Sequence, residues 1–246
     1  MTQHTPIYVV ASPHPRTGKT LIARLLMEFL LANNRPLVGF DLNPREPELA
    51  PRFPQLVWTL DIADTRGQMA LFDLLIADDT AAKVIDLGYA AFEKFFAVMN
   101  EIGFVAEARR RLVEPIVLFV TDSAPTTARS YAELQAGPAP PIFVPVHNEA
   151  VSVIFTKKDF PPAPAECGVV RLPRLSSIVR GVIDRPNFSF RAYLNDQPGG
   201  PTEMHTWIAG AFREFRELEL RLLLGKLSSA LGGTHRMLEH DAPPAG

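Results

Sequence analysis

Six short apolar, β-branched runs recur along the chain, at 7–12, 37–42, 83–87, 116–121, 142–146 and 169–172. Between and after them lie segments with helical periodicity, at about 19–33, 68–77, 90–110, 126–135, 176–184 and 203–231. A strand that is apolar on both faces must be covered on both faces. A parallel sheet with helices on either side does this, and right-handed crossovers supply the helices. The alternation therefore predicts an α/β fold, a doubly wound and mostly parallel sheet in three α/β/α layers. A chain of 246 residues with 47% hydrophobic composition can fill one such core. One domain is expected over 1–235, followed by a disordered tail over 236–246. In the last helical segment, Trp207, Ile208, Phe212, Phe215, Leu218, Leu222 and Leu223 form one face, and Arg213, Glu214, Arg216, Glu217 and Arg221 another. The stretches "QAGPAPP" (135–141) and "FPPAPAE" (160–166) are expected as surface loops, because the strand–helix rhythm continues past both.

Composition removes several function classes. The formal net charge of −2 gives no global reason to bind nucleic acid or an anionic membrane. Cys167 is the single cysteine, which rules out an internal disulfide and a cysteine-cluster metal site. The six histidines show no metal-ligand spacing. The N-terminus lacks a basic region leading into an apolar segment, and no run reaches the roughly 18 apolar residues of a membrane span, so a cytoplasmic location is expected.

In doubly wound sheets ligands bind beyond the carboxyl ends of the strands. That rule selects 12–20, 41–48, 86–92, 121–127 and 147–149. The first of these, "SPHPRTGKT", follows an apolar strand and opens a helix on Gly18-Lys19-Thr20, the second half of a phosphate-binding loop. Gly18 permits a backbone path that a side chain would obstruct. The N–H groups at the helix start aim at an anion. Lys19 would neutralise phosphate charge, and the Thr20 hydroxyl would hold Mg²⁺. Gly-Lys-Thr also begins ordinary helices, and the leading glycine of the motif is replaced here by Pro13.

Beyond this loop the chain resembles the ParA/MinD class of deviant P-loop ATPases over about residues 6–190. "SPHPRTGKT" is similar to that class's "SPKGGVGKT" loop, "PLVGFDLNPREPEL" to its switch I segment and "AAKVIDLGYAAF" to its Walker B strand. "PIFVPVHN" ends where the class carries an asparagine near the base, and "RLPRLSSIVRGVIDRPNFSF" is similar to its late strand and helix. Within the class, "FDLLI…KVIDLGYAAFEKFF" resembles the TraL-like proteins of plasmid conjugation. The resemblance implies binding of ATP and Mg²⁺, with nucleotide contacts from His14, Arg16, Thr17, Gly18, Lys19, Thr20, Leu21 and Asn148. It implies metal contacts from Thr20, Asp41 and Asp86, and catalytic roles for Lys19, Asp41 and Asn43. It further implies a nucleotide-dependent homodimer and a protein partner in plasmid or chromosome partition or conjugative transfer.

The departures bear on chemistry. The class's signature lysine, which reaches the partner's phosphates, aligns with His14, and its paired glycines with Pro15 and Arg16. Proline at 15 removes one N–H donor from the cradle. Asn43 stands where the class positions its attacking water with an aspartate; an amide can hold water but cannot act as a base. Arg16 offers a permanent charge that forks onto phosphate and would stand in for the lost lysine. Hydrolysis is accordingly expected to be slow or absent.

Two other readings share the fold: a ligase resembling dethiobiotin synthetase, which needs a second pocket for an acidic substrate, and a scaffold that has lost the nucleotide. The arginines Arg109–Arg111 end a helix, where cations complement the dipole, and they form the one basic cluster to weigh for DNA together with Lys157 and Lys158. The leucine-rich end of the last helix is interrupted by Gly225 and carries acidic residues, so packing on the sheet is expected rather than membrane attachment.

Overall fold

Seven strands, β1 (Thr5–Ala11), β2 (Leu37–Asp41), β3 (Val57–Thr59), β4 (Ala82–Asp86), β5 (Val113–Thr121), β6 (Ile142–Asn148) and β7 (Val170–Leu172), form one sheet. Their order is β3-β2-β4-β1-β5-β6-β7, and every pairing is parallel. This is a computed structural model, and it describes residues 4–77, 79–152, 168–196 and 202–240. The 160–166 stretch, Lys157, Lys158 and Cys167 lie outside the described residues.

The central strands are buried along both faces, which is why their sequences do not alternate. The helices are α1 (Lys19–Ala32), α2 (Thr65–Leu75), α3 (Phe92–Glu101), α4 (Phe104–Arg110), α5 (Pro125–Gln135), α6 (Ser177–Ile183), α7 (Phe190–Asn195) and α8 (Glu203–His240). On one face α1, α6, α7 and α8 pack over Tyr8, Val10, Val84, Leu118 and Val146. On the other, α2 to α5 pack over Ile7, Val9, Ile85, Val117 and Phe143. Phe29 of α1 meets Phe212 and Phe215 of α8, with centroids at 5.7 and 5.8 Å, so the long last helix is tied to the first. The expected three-layer α/β/α architecture is the observed one.

The elements differ from the sequence pattern in four places. Strand β3 has no counterpart among the six apolar runs. The single helix expected over 90–110 is a 3₁₀ turn (Tyr89–Ala91) followed by α3 and α4, broken at Gly103 with φ 62°. Helix α7 was not anticipated. Helix α8 continues past 231 to His240, so residues 236–240 of the expected tail are helical, and 241–246 lie outside the described residues.

Parallel pairing aligns the strand ends. Val10 of β1 and Asp41 of β2 both lie beside Asp86 of β4, and Thr121 of β5 lies beside His147 of β6. The loops that follow these ends converge at one edge of the sheet.

Candidate functional site

The loop from Ser12 to Gly18 carries the chain from the end of β1 into α1. Gly18 caps the helix in a left-handed conformation, φ 91°, and a Cβ there would stand 2.5 Å from Asn148 Nδ2. Both the dihedral and the close approach demand glycine. No side chain caps α1 and its first turn holds no acidic residue. The leading N–H groups at Lys19, Thr20 and Leu21 thus have no acceptor within the helix, the usual condition of a helix end that receives an anion.

The loop is held from two sides. From β6, Asn148 Nδ2 donates to the Thr17 carbonyl at 3.1 Å, while its Oδ1 accepts from Ala150 N at 3.1 Å. The nitrogen end of the amide expected at a base therefore braces the loop, and its oxygen end closes the turn after β6. From the turn after β5, Asp122 Oδ2 lies 2.6 Å from His14 Nδ1, and Thr126 Oγ1 lies 3.1 Å from His14 Nε2. Thr127 Oγ1 donates to Asp122 Oδ1 at 2.5 Å, and Ala124 N donates to the same oxygen at 2.9 Å. Burial raises the Asp122 carboxyl, but the bonds from Thr127, His14 and Ala124 outweigh it and hold its pKa below the ordinary value. The histidine in the signature-lysine position is thus a strut within its own chain. Asp122 acts as a turn residue, and its role against His14 is what sequence reasoning missed. The signal was its position at a strand's carboxyl end.

Lys19 is buried. Its Nζ donates to the His14 carbonyl at 2.7 Å and to Thr17 Oγ1 at 3.5 Å. Desolvation lowers its pKa, opposed by the charges of Asp86, Asp122 and Glu48. Arg16 is exposed in the loop, in a left-handed backbone conformation with φ 58°.

Asp86 ends β4 with 6% exposure, and burial pushes its carboxyl up to about 7. A hydrogen bond from Thr20 and the Lys19 charge pull it down, while the neighbouring Asp41 charge pushes it further up. A buried carboxylate, a second one beside it and a threonine hydroxyl form a donor set that suits a hard divalent cation. Among the described residues no group of three His, Cys, Asp or Glu side chains is arranged for a metal, so any such site is of this mixed kind.

Asp41 is fully buried and its oxygens are largely taken. Oδ1 accepts from Asn43 N at 3.1 Å, and Oδ2 accepts from Leu49 N at 2.9 Å and Ala50 N at 3.2 Å. It shapes the loop after β2 as much as it charges it. Asn43 sits at the rim of the same loop, with Nδ2 donating to the Glu46 carbonyl at 2.7 Å. The structure thus brings Thr17 to Leu21, Asp41, Asn43, Asp86 and Asn148 to one edge of the sheet.

The arginine triplet stands apart. Arg109 Nε donates to Glu114 Oε1 at 3.0 Å and its Nη2 to the Pro140 carbonyl at 3.1 Å, while Arg110 and Arg111 both pair with Glu107. Among the described residues no helix is long and apolar enough to cross a membrane.

No family model matches the sequence, and no curated protein matches it. Among solved structures the chain is similar to the MinD cell division protein of Aquifex aeolicus, with a TM-score of 0.54 and 11% identity over 87% of this chain and 97% of that one. The likeness shows a shared fold, that of the MinD P-loop structure.

Proposed function

We propose that the chain binds Mg·ATP at the start of α1. The observation that carries this reading is the uncapped helix end at Gly18, with the buried Asp86 carboxylate within electrostatic reach of the Lys19 ammonium beside it. The N–H groups of Gly18 to Leu21 and the Lys19 ammonium would take the β- and γ-phosphates. Thr20 and Asp86 would hold Mg²⁺, with Asp41 behind them in the outer sphere. The bound metal would supply charge stabilisation on the γ-phosphate. Lys19 must leave the His14 carbonyl to reach phosphate, and the loop braced by Asn148 and Asp122 gives it a fixed frame to move within. Asn43 can orient water through its free Oδ1 but cannot take its proton, so hydrolysis is slow or absent.

In this reading two copies meet across the nucleotide. His14 is bound within its own chain, so Arg16, exposed in the loop, is the cation available to a partner's phosphate. A role in plasmid or chromosome partition or in conjugative transfer, with a protein partner and in the cytoplasm, is the biological setting this implies.

Titration with a fluorescent ATP analogue and Mg²⁺, beside Lys19→Ala, tests the proposal. Wild type is expected to bind and the variant to lose at least tenfold in affinity, about 1.4 kcal/mol. Equal or absent binding in both proteins would sink it.

A further inference from the structure

Three side chains that the nucleotide reading leaves without a chemical step meet where β1 and β5 end. Ala11 of β1 pairs with Phe119 of β5, so the loops leaving these strands run side by side. His14 comes from the first loop, Asp122 from the second, and Thr126 from the second position of α5, behind Pro125. Proline is pre-set for the first position of a helix, and helical side chains tilt back toward the N-terminus. Thr126 Oγ1 is thereby brought to His14 Nε2, at 3.1 Å, while His14 Nδ1 lies 2.6 Å from Asp122 Oδ2.

These contacts set the role of each group. Bonds from Thr127 Oγ1 and Ala124 N, at 2.5 and 2.9 Å, help keep Asp122 a carboxylate, which can only accept. The Nδ1 facing it must therefore carry a proton, and in a neutral imidazole Nε2 is then the acceptor. Thr127 Oγ1 also lies 3.1 Å from Nδ1, but its own proton is given to Asp122. The Thr126 hydroxyl thus donates to Nε2. Exposure rises along this chain of contacts: the Asp122 side chain is 12% exposed, that of His14 33%, and Thr126 is open to solvent. A mostly buried carboxylate, an imidazole that it orients and an accessible hydroxyl are the parts of an activated nucleophile. The remaining requirement is a donor for an oxyanion. No side chain caps α5, and its first turn holds no acidic residue. Thr127 N bonds the Ala124 carbonyl at 3.0 Å, whereas Thr126 N has no acceptor within the helix.

We propose that Thr126, His14 and Asp122 form a hydrolytic triad for small acyl esters, with Thr126 Oγ1 the nucleophile, His14 the general base and Asp122 the residue that positions the imidazole. Oγ1 attacks the ester carbonyl as its proton passes to Nε2, and the carbonyl oxygen becomes an oxyanion facing Thr126 N–H. The C–O bond to the alcohol then breaks, and the departing oxygen takes the proton from Nε2. Water, deprotonated in turn by Nε2, cleaves the acyl–Thr126 ester, releases the carboxylic acid and restores the hydroxyl. Thr126 stands on an open surface, and the methyl group on its Cβ crowds the attack. A short acyl group on a good leaving group is therefore the substrate class. The proposal does not rest on the nucleotide reading, and its test needs no nucleotide.

The full-length protein is mixed with p-nitrophenyl acetate, quenched in acid and mapped by peptide mass spectrometry, while released p-nitrophenolate is followed by absorbance. Wild type is expected to carry acetyl on Thr126 and to turn over. Thr126→Ala, an exposed change whose urea midpoint should match wild type, is expected to lose the acetyl. It should also release p-nitrophenolate on the order of 100-fold more slowly. Thr126→Ser should keep both signals. Long-range ¹H–¹⁵N NMR reads the positioning role, with the His14 signals identified by their loss in His14→Gln. The wild-type proton is expected on Nδ1, and Asp122→Asn should lower that fraction and the acylation rate together. No acetyl on Thr126 overturns the proposal. So does a Thr126→Ala rate equal to wild type, which would mean that the imidazole attacks the ester by itself. A His14 proton resting on Nε2 in wild type overturns it too, because Thr126 then has no base.

Discussion

The strut between His14 and Asp122 sets the path of the loop between β1 and α1, because the His14 carbonyl is also the resting place of Lys19 Nζ. Truncation at His14 leaves the Asp122 carboxylate short of one partner. His14→Ala should destabilise the fold by about 1–3 kcal/mol, and His14→Asn should recover part of this, since its amide nitrogen falls near the Nδ1 position. Urea melts of the three proteins give the answer; identical midpoints would mean the strut does not hold in solution. Gly18 is the second point of constraint. Gly18→Ala meets both a left-handed φ of 91° and Asn148 Nδ2 at 2.5 Å, for a combined loss of roughly 1–3 kcal/mol. In an Asn148→Ala background the clash disappears and only the dihedral strain remains, so Gly18→Ala should cost less there. If it costs the same, the contact with Asn148 contributes nothing. The motif residues Gly18, Lys19 and Thr20 were legible in the sequence, and so was the acidic end of β4. Their bracing was not, because Asp122 and Asn148 lie more than a hundred residues away and only the strand order β1-β5-β6 brings them near.

At the scale of elements, legibility followed burial. Strands β1, β4 and β5 read as unbroken apolar runs because helices cover both of their faces. Strand β3 was lost because it is a three-residue edge in which Trp58 is 54% exposed, too short and too wet to show a pattern. Helix α7 was lost for its length of six residues, although Ser189 caps it by accepting from Ala192 N at 3.3 Å. The helix expected over 90–110 read as one because the apolar spacing of α3 runs on into α4. Gly103 breaks it with φ 62°, and a Cβ there would meet nothing within 4 Å. Gly103→Ala therefore isolates the dihedral cost from any clash. It should lower stability by about 1 kcal/mol, read in a thermal or denaturant melt, with no change at the loop between β1 and α1. A variant as stable as wild type would show that the break between α3 and α4 is set by something other than the glycine.

For the whole molecule, the buried carboxylate at the end of β4 opposes the fold it sits in. Asp86 takes its proton at about 7 when folded and near 3.8 when unfolded, with burial the main cause. Below the lower value both states are protonated and the group contributes nothing. Between the two, the unfolded chain has released its proton while the folded one retains it. Unfolding is therefore increasingly favoured as pH rises, until the full penalty is present above about 7. A shift of this size corresponds to something on the order of 4 kcal/mol. Asp86→Asn removes the titration while keeping a side chain that can pair with Thr20. In metal-free protein the variant should match wild type near pH 4 and exceed its stability by several kcal/mol at pH 8. Other titrations, such as that of His4, which burial pushes down, occur in both proteins and cancel in the difference. A stability difference that stays flat from pH 4 to pH 8 would show that Asp86 is ionised throughout in the folded protein. A difference that grows with pH is what burial of the Asp86 carboxylate predicts, and a cation that held the carboxylate in its charged form would offset that penalty.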